Sequence, residues 1–321
     1  MKKIILLASG IFVILVCILV FTLENRNNYV LDVHEINYSQ IKVFDPVYIA
    51  LDQGYFDDVG VTVNLVGETF GGPQALMASA SGDVDSGIAA TTAIINARNS
   101  GIKVKGILDV QTAFADSPLM NWYVLEDSHL QNPQDLINKK IGVNTLGASF
   151  HYTTIAYLEA SGLSVSDVEF IVVPHGNLEQ ALRSNQIDVA AMIDPFDQIA
   201  LDRGGIRSLF NAHQVIGENQ FSLIFMSEEK MESDPEAVRR FTRAYRLAVE
   251  FINENPNEAS EIMARTFGID KKFIPKHKFQ PDAIVDEVSI NFWLSFMKSQ
   301  GIKGVELLSA KEIGSNEFNV Q

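Results

Sequence analysis

Gln74-Ala75-Leu76 … Val84-Asp85 … Ile88 … Ile94-Ile95 … Gly101-Ile102 returns further along the chain as Gln180-Ala181-Leu182 … Ile187-Asp188 … Ala191 … Ile199-Ala200 … Gly205-Ile206. A second echo pairs Ile49-Ala50 and the apolar run Val61–Val66 with Ile155-Ala156 and the run Val168–Val173. Each half therefore reads strand, helix, strand, helix, strand, helix in one order. The spacings drift by a few residues, which marks a repeated fold unit and not a solenoid. Two such units predict two α/β lobes.

Short β-branched runs predict strands at Val61–Val66, Ser86–Ala89, Val104–Val110, Ile141–Asn144, Val168–Val173 and Ile187–Ile193. Alternation of such runs with helical patterns argues for mainly parallel sheets covered by helices. Asp45-Pro46 reads as the cap and first turn of a helix that Gly54 stops. Asp234-Pro235-Glu236 opens a longer helix, on which Val238, Phe241, Tyr245, Ala248, Val249 and Ile252 share one face.

The chain has 321 residues, 47% hydrophobic and 20% charged, enough for two modest cores. Its formal net charge of -15 excludes a basic surface that could neutralise nucleic-acid phosphates. That total does not exclude an anionic ligand, because a few backbone amides can hold one. Cys17 is the single cysteine, so the rest of the chain has no disulfide and no thiol nucleophile.

Met1-Lys2-Lys3 precedes a run from Ile4 to Leu23 that contains no Asp, Glu, Lys or Arg. As a helix it would span roughly 30 Å, the thickness of a bilayer core. The two lysines predict an inside N-terminus, with everything after Asn28 outside the cytoplasm. An uncleaved anchor, a cleaved signal and a lipoprotein signal at Cys17 all remain open. Ile14-Leu15-Val16 before Cys17 lacks the small residue that lipidation needs, and no small-x-small site follows the run.

In open α/β sheets, ligands sit beyond the carboxyl ends of the strands. The repeat then pairs the loop Tyr38-Ser39-Gln40 with Thr145–His151, and Ala90-Thr91-Thr92 with Asp194-Pro195-Phe196. Thr91 and Thr92 stand where a helix amino end favours an anion, or where a hydroxyl simply caps the helix. Gly147-Ala148-Ser149 opens another helix, with residues small enough for an oxyanion to approach the amides; it also fits an ordinary tight turn. His151 can donate to a ligand or cap its own turn. Phe70, Phe114, Phe150, Phe196 and Phe221 can line an apolar wall or sit in the core. If Asp194 or Asp116 faces the cleft, an amine or hydroxyl on the ligand is favoured.

Catalytic templates are missing. The sequence has no phosphate loop, no dinucleotide fingerprint, no nucleophile elbow and no His-Glu-x-x-His, and its six histidines have no metal-ligand spacing. The expectation is a binding protein without enzymatic activity, metal or cofactor.

Asp52-Gln53-Gly54-Tyr55-Phe56, Gly71-Gly72-Pro73-Gln74-Ala75-Leu76, Ser81-Gly82-Asp83-Val84-Asp85, Lys140-Ile141-Gly142-Val143, Asp194-Pro195-Phe196 and Asp234–Phe241 together resemble one family. It is the substrate-binding component of nitrate, sulfonate and taurine type ABC importers, related to thiamine-precursor-binding proteins. The resemblance implies a type II periplasmic-binding-protein fold with two α/β lobes and two crossover segments, near Thr112–Pro118 and Gln220–Ser227. With residues 1–28 taken from the apolar run as membrane anchor or signal, it implies 29–115 as the first part of lobe one, 116–222 as lobe two, and 223–321 as the return to lobe one and C-terminal helices. Its ligand loops match Ser39-Gln40, Thr91-Thr92, Gly147-Ala148-Ser149 with His151, and Asp194 with Phe196; Phe114 lies at the first crossover. The implied ligand is a small organic anion such as an aliphatic sulfonate or taurine. Nitrate, a thiamine pyrimidine precursor, and a tethered sensor without a permease are the alternatives. The implied partners are an ABC permease and its ATPase. Met192-Ile193 stands where a tryptophan often precedes the Asp-Pro pair, and the cysteine-rich motif of the pyrimidine-synthesising relatives is missing.

Overall fold

The repeat read from the sequence becomes two sheets built to one plan. The computed structural model describes residues 32–319, so the expected membrane segment and Cys17 lie outside the described residues. Among the described residues, no helix is long and apolar enough to cross a membrane.

The first sheet has the order β2-β1-β3-β10-β4, from β1 (His34–Gln40), β2 (Val61–Glu68), β3 (Ser86–Ala90), β4 (Val104–Thr112) and β10 (Gln220–Ser227). The second has the order β7-β6-β8-β5-β9, from β5 (Asn121–Leu125), β6 (Lys140–Val143), β7 (Glu169–Val172), β8 (Val189–Met192) and β9 (Ile206–Asn211). In the first, β1 runs parallel to β2 and β3, while β10 is antiparallel to β3 and β4. In the second, β6 is parallel to β7 and β8, while β5 is antiparallel to β8 and β9. The one antiparallel strand of each sheet is thus the strand that has just arrived from the other half.

The echoed Val-Asp and Ile-Asp pairs acquire a physical role here. Asp85 accepts a hydrogen bond from the Asn37 N–H at 2.8 Å and returns its own N–H to the Asn37 carbonyl at 2.8 Å. Asp188 does the same with the N–H and carbonyl of Lys140, both at 2.8 Å. Each aspartate fixes the entry of a third strand beside the first.

The first crossover falls near Thr112–Pro118 as expected, but the second does not fall at Gln220–Ser227. Gln220–Ser227 is a wholly buried strand between β3 and β4, because its run Phe221, Leu223, Phe225 and its alternates face packed layers on both sides. The links between the sheets are residues 113–120 and 212–219. They lie side by side: the Ala113 N–H donates to the Asn219 carbonyl at 3.2 Å, and the Ala212 N–H to the Met120 carbonyl at 3.0 Å. Residues after 280 pack on the first sheet. In the helix Glu287–Ser299, buried Trp293 donates its indole N–H to the Gln220 carbonyl at 2.8 Å.

Helix punctuation falls where the sequence places it. Asp45 caps the helix Pro46–Asp52 by accepting from the Val47 N–H, and Asp234 caps Pro235–Glu254 by accepting from the Ala237 N–H. The apolar face of that long helix is buried along its length.

One buried group should respond to pH. Burial pushes the Asp109 carboxyl up to about 7, opposed by hydrogen bonds from Thr112, Gln111 and Val110. Its Oδ1 has no partner. With a folded pKa above the unfolded value of 3.8, its contribution is fully present below pH about 4 and lost as pH rises through 7. Asp109→Asn is therefore expected to stabilise the protein at pH 8 by roughly 1–3 kcal/mol, and by less at pH 4. Thermal unfolding at the two pH values checks this.

Candidate functional site

Between the two sheets lies a cavity of about 50 Å³. The first half contributes Ile41 and Val43 after β1, Gly71 and Gly72, Ala89 and Ala90, Gln111, and Phe221 and Ser222 of β10. The second half contributes Asn144, Ala148, Ser149 and Phe150, then His175 and Ile193. Among the described residues, no charged side chain lines it.

What the lining has instead is helix starts. The helices Gly72–Ala80, Thr91–Asn99, Ser149–Ala160 and His175–Arg183 each place their cap or first residue on the cavity, two from each half. None of the four has a side-chain cap, in contrast to the helices opened by Asp45, Asp234 and Asp286. The first N–H groups of a helix have no partner within it, and the aligned peptide dipoles leave about half a positive charge there. Gly72 makes the approach possible: a Cβ at this position would lie 2.6 Å from the Ala89 Cα, so only glycine lets this helix start close against β3.

Ser149 is buried, and its hydroxyl has only stretched partners: the Phe221 carbonyl at 3.4 Å and the Ser222 hydroxyl at 3.5 Å. It is accordingly available to a better acceptor. Thr91 and Thr92 are buried at the start of their helix, one and two residues beyond the lining Ala90, and neither hydroxyl has a hydrogen-bond partner. Ala148 and Ser149 line the cavity, while Gly147 accepts at its carbonyl from the Asn96 amide at 3.2 Å and lines a separate pocket.

Other expected residues are placed elsewhere. Ser39 and Gln40 are tied to Thr69, the first through hydroxyls 3.5 Å apart and the second through its carbonyl; Ile41 and Val43 take the cavity positions instead. The His151 ring packs edge-on against Phe170 at 4.6 Å, and its Nδ1 accepts from the Gly147 N–H at 3.2 Å, so it caps its own turn. Asp194 is buried and lies 2.9 Å from Nε2 of buried His277, away from the cavity lining. Asp116 is exposed. Phe114 sits at the link between the sheets, beneath the Lys278 ammonium at 4.8 Å. Phe150 and Phe221 line the cavity, and Phe196 and Phe70 line an adjoining pocket.

Sequence reasoning also missed His175. Burial pushes its pKa down to about 4, so it is neutral at neutral pH, and its Nδ1 is buried without a partner. The signal for it is the repeat itself: the helix of Gln180 is the counterpart of the helix of Gln74, and the first turn of each reaches the cavity.

The halves also meet directly around the cavity. The Asn144 amide donates to the Phe70 carbonyl at 3.2 Å, the Asn96 amide to Gly147, and Asp194 joins His277, whose ring lies 4.1 Å from Phe44.

Comparison with known proteins agrees with the resemblance read from the sequence. A family model described as NMT1/THI5 like matches residues 42–259. The riboflavin-binding protein RibY of Chloroflexus aurantiacus is 24% identical over 269 residues, covering 80% of this chain and 71% of that protein. The alkanesulfonate-binding protein SsuA from Xanthomonas axonopodis pv. citri, bound to MOPS, superposes with a TM-score of 0.74 at 19% identity, over 88% of this chain and 98% of that one. The periplasmic nitrate-binding protein NrtA from Synechocystis PCC 6803 gives 0.71 at 15% identity, over 89% and 87%. These likenesses establish the periplasmic-binding-protein fold.

Proposed function

This chain belongs to the NMT1/THI5-like family, and from that premise we propose that it is the extracytoplasmic solute-binding component of an ABC importer, holding a small organic anion such as an aliphatic sulfonate between two lobes. The observation that supports this is the meeting of four uncapped helix starts, two from each half, on a cavity without charged side chains. An oxyanion placed there accepts from backbone N–H groups at fixed positions and meets the positive ends of the dipoles. Ser149 adds a hydroxyl, and Phe150 and Phe221 give the cavity its apolar walls. Among the described residues, no carboxylate lines the cavity to meet an ammonium group, which favours a plain sulfonate over taurine.

In this reading each sheet with its helices is a lobe, and 113–120 with 212–219 is the hinge. Ligand binds one lobe first and draws the other onto it, since only the closed form offers both sets of donors. The closed form then presents the surface that a permease recognises, and an ATPase on another chain supplies the energy. Residues 1–28 tether the protein on the outer side of the membrane. No chemical step is assigned to it. A second reading, a neutral pyrimidine precursor, is favoured by the lack of any cationic side chain in the lining.

Calorimetry of the purified protein against alkanesulfonates, nitrate and a formylaminopyrimidine tests the proposal. Micromolar to nanomolar sulfonate affinity, about 8 to 12 kcal/mol, is the expected result; heat from the pyrimidine alone would select the second reading. Ser149→Ala and Thr92→Ala are each expected to weaken sulfonate binding by roughly 1–3 kcal/mol. Wild-type affinity in either variant removes that hydroxyl from the site.

A further inference from the structure

A second pocket of about 360 Å³ adjoins the inner cavity and shares Ile41 and His175 with it. His175 is the partition between the two. Its ring stands edge-on to Phe150 of the inner cavity, with centroids 5.7 Å apart at 65°. It lies nearly parallel to Phe196 of the outer pocket, at 5.7 Å and 12°.

Phe70 also lines the outer pocket and is 59% exposed. Its backbone is nevertheless held from both halves: its N–H donates to Gln74 Oε1 at 2.8 Å, and its carbonyl accepts from the Asn144 amide at 3.2 Å. A large, exposed aromatic ring thus lines a pocket that Phe196 and His175 also line. The charged groups of the pocket, Lys42 and Glu68, lie 3.2 Å apart and match each other. An incoming group meets no unpaired charge.

The two volumes divide a ligand into parts. At about 10–15 Å³ of such space per water, the inner cavity has room for a few heavy atoms, the size of a sulfonate or similar head. The outer pocket falls in the ~300–1,000 Å³ range of small-molecule sites.

We propose that the ligand carries a flat, uncharged ring that lies in the outer pocket between Phe70 and the Phe196–His175 pair, with its oxyanion in the inner cavity. The inference rests on the oxyanion reading above and adds the class of organic group. A ring gains offset-stacked or edge contacts with aromatic walls beyond what burial alone gives an alkyl chain. His175 serves as a neutral aromatic face there, because burial keeps it unprotonated at neutral pH.

Calorimetry with methanesulfonate, butanesulfonate and benzenesulfonate, on the full-length protein and on Phe70→Ala and Phe70→Tyr, tests this. Benzenesulfonate is expected to bind about tenfold tighter than methanesulfonate and tighter than butanesulfonate. Phe70→Ala should bring the benzenesulfonate-to-methanesulfonate ratio towards one, and Phe70→Tyr should restore it. A ratio near one in the wild type, or a ratio that Phe70→Ala leaves intact, overturns the ring assignment and leaves the oxyanion reading standing. If no sulfonate binds, the oxyanion reading falls and the ring assignment with it.

Discussion

Ser149→Asp is expected to abolish anion binding in a protein that remains folded. Ser149 is the first residue of its helix, where a carboxylate interacts favourably with the dipole and the unpaired N–H groups, by about 0.3–1 kcal/mol. The substitution therefore suits the helix. It also puts a fixed negative charge where the ligand's oxygens would sit. Two unit charges about 4 Å apart repel by about 4 kcal/mol at an effective dielectric of 20, so affinity should fall by roughly a thousandfold. This greatly exceeds the loss expected from Ser149→Ala, and the contrast between the two separates charge from a missing hydroxyl. Calorimetry gives the affinity, and near-ultraviolet circular dichroism with thermal unfolding reports the fold. Wild-type affinity in Ser149→Asp would mean that the anion is held away from this helix.

The second large effect concerns closure. Asp194 and His277 are both buried and belong to opposite halves, Asp194 just beyond β8 and His277 against Phe44 and Phe279. In the two-lobe reading proposed above, an open form would return each to water, and the bond would belong to the closed state. His277→Ala leaves the Asp194 carboxylate buried without its partner, a loss of the order of 3–5 kcal/mol for a buried pair. The penalty falls on the closed form alone, so ligand affinity should drop by about a hundredfold or more. Small-angle scattering with saturating ligand should show a larger radius of gyration than the wild type gives. Unchanged affinity together with an unchanged radius would show that the pair takes no part in closure.

The fold was legible wherever the repeat had apolar content. Val61–Val66, Ser86–Ala89 and Val104–Val110 emerge as strands within a residue or two of their expected bounds. β1 was not legible: only Ile36 and Tyr38 of His34–Gln40 are large apolar residues, and its polar positions find partners such as Asp85 and Asn64. β5 is too short to show a period. β10 carries the apolar run Leu223-Ile224-Phe225-Met226, which fits a buried strand as well as a crossover, and long-range pairing with β3 and β4 decides between them.

The site was legible in part for a similar reason. Ala148 and Ser149 follow a recognisable strand-to-helix turn, so their place on the cavity could be read from position alone. Side-chain direction could not. His151 turns back onto Phe170, and Asp194 turns towards a histidine distant in sequence, both outcomes of packing between elements. His175 carries no local motif; its role comes from burial beside Phe150 and Phe196.

A crystal structure of the protein with 4-bromobenzenesulfonate, with the bromine located by anomalous scattering, is the most direct measurement. The sulfonate should lie in the cavity between the sheets, with its oxygens about 2.7–3.2 Å from N–H groups at helix starts of both halves, the Ser149 helix among them. A sulfonate bound on one half alone, or outside the cavity, would contradict the account.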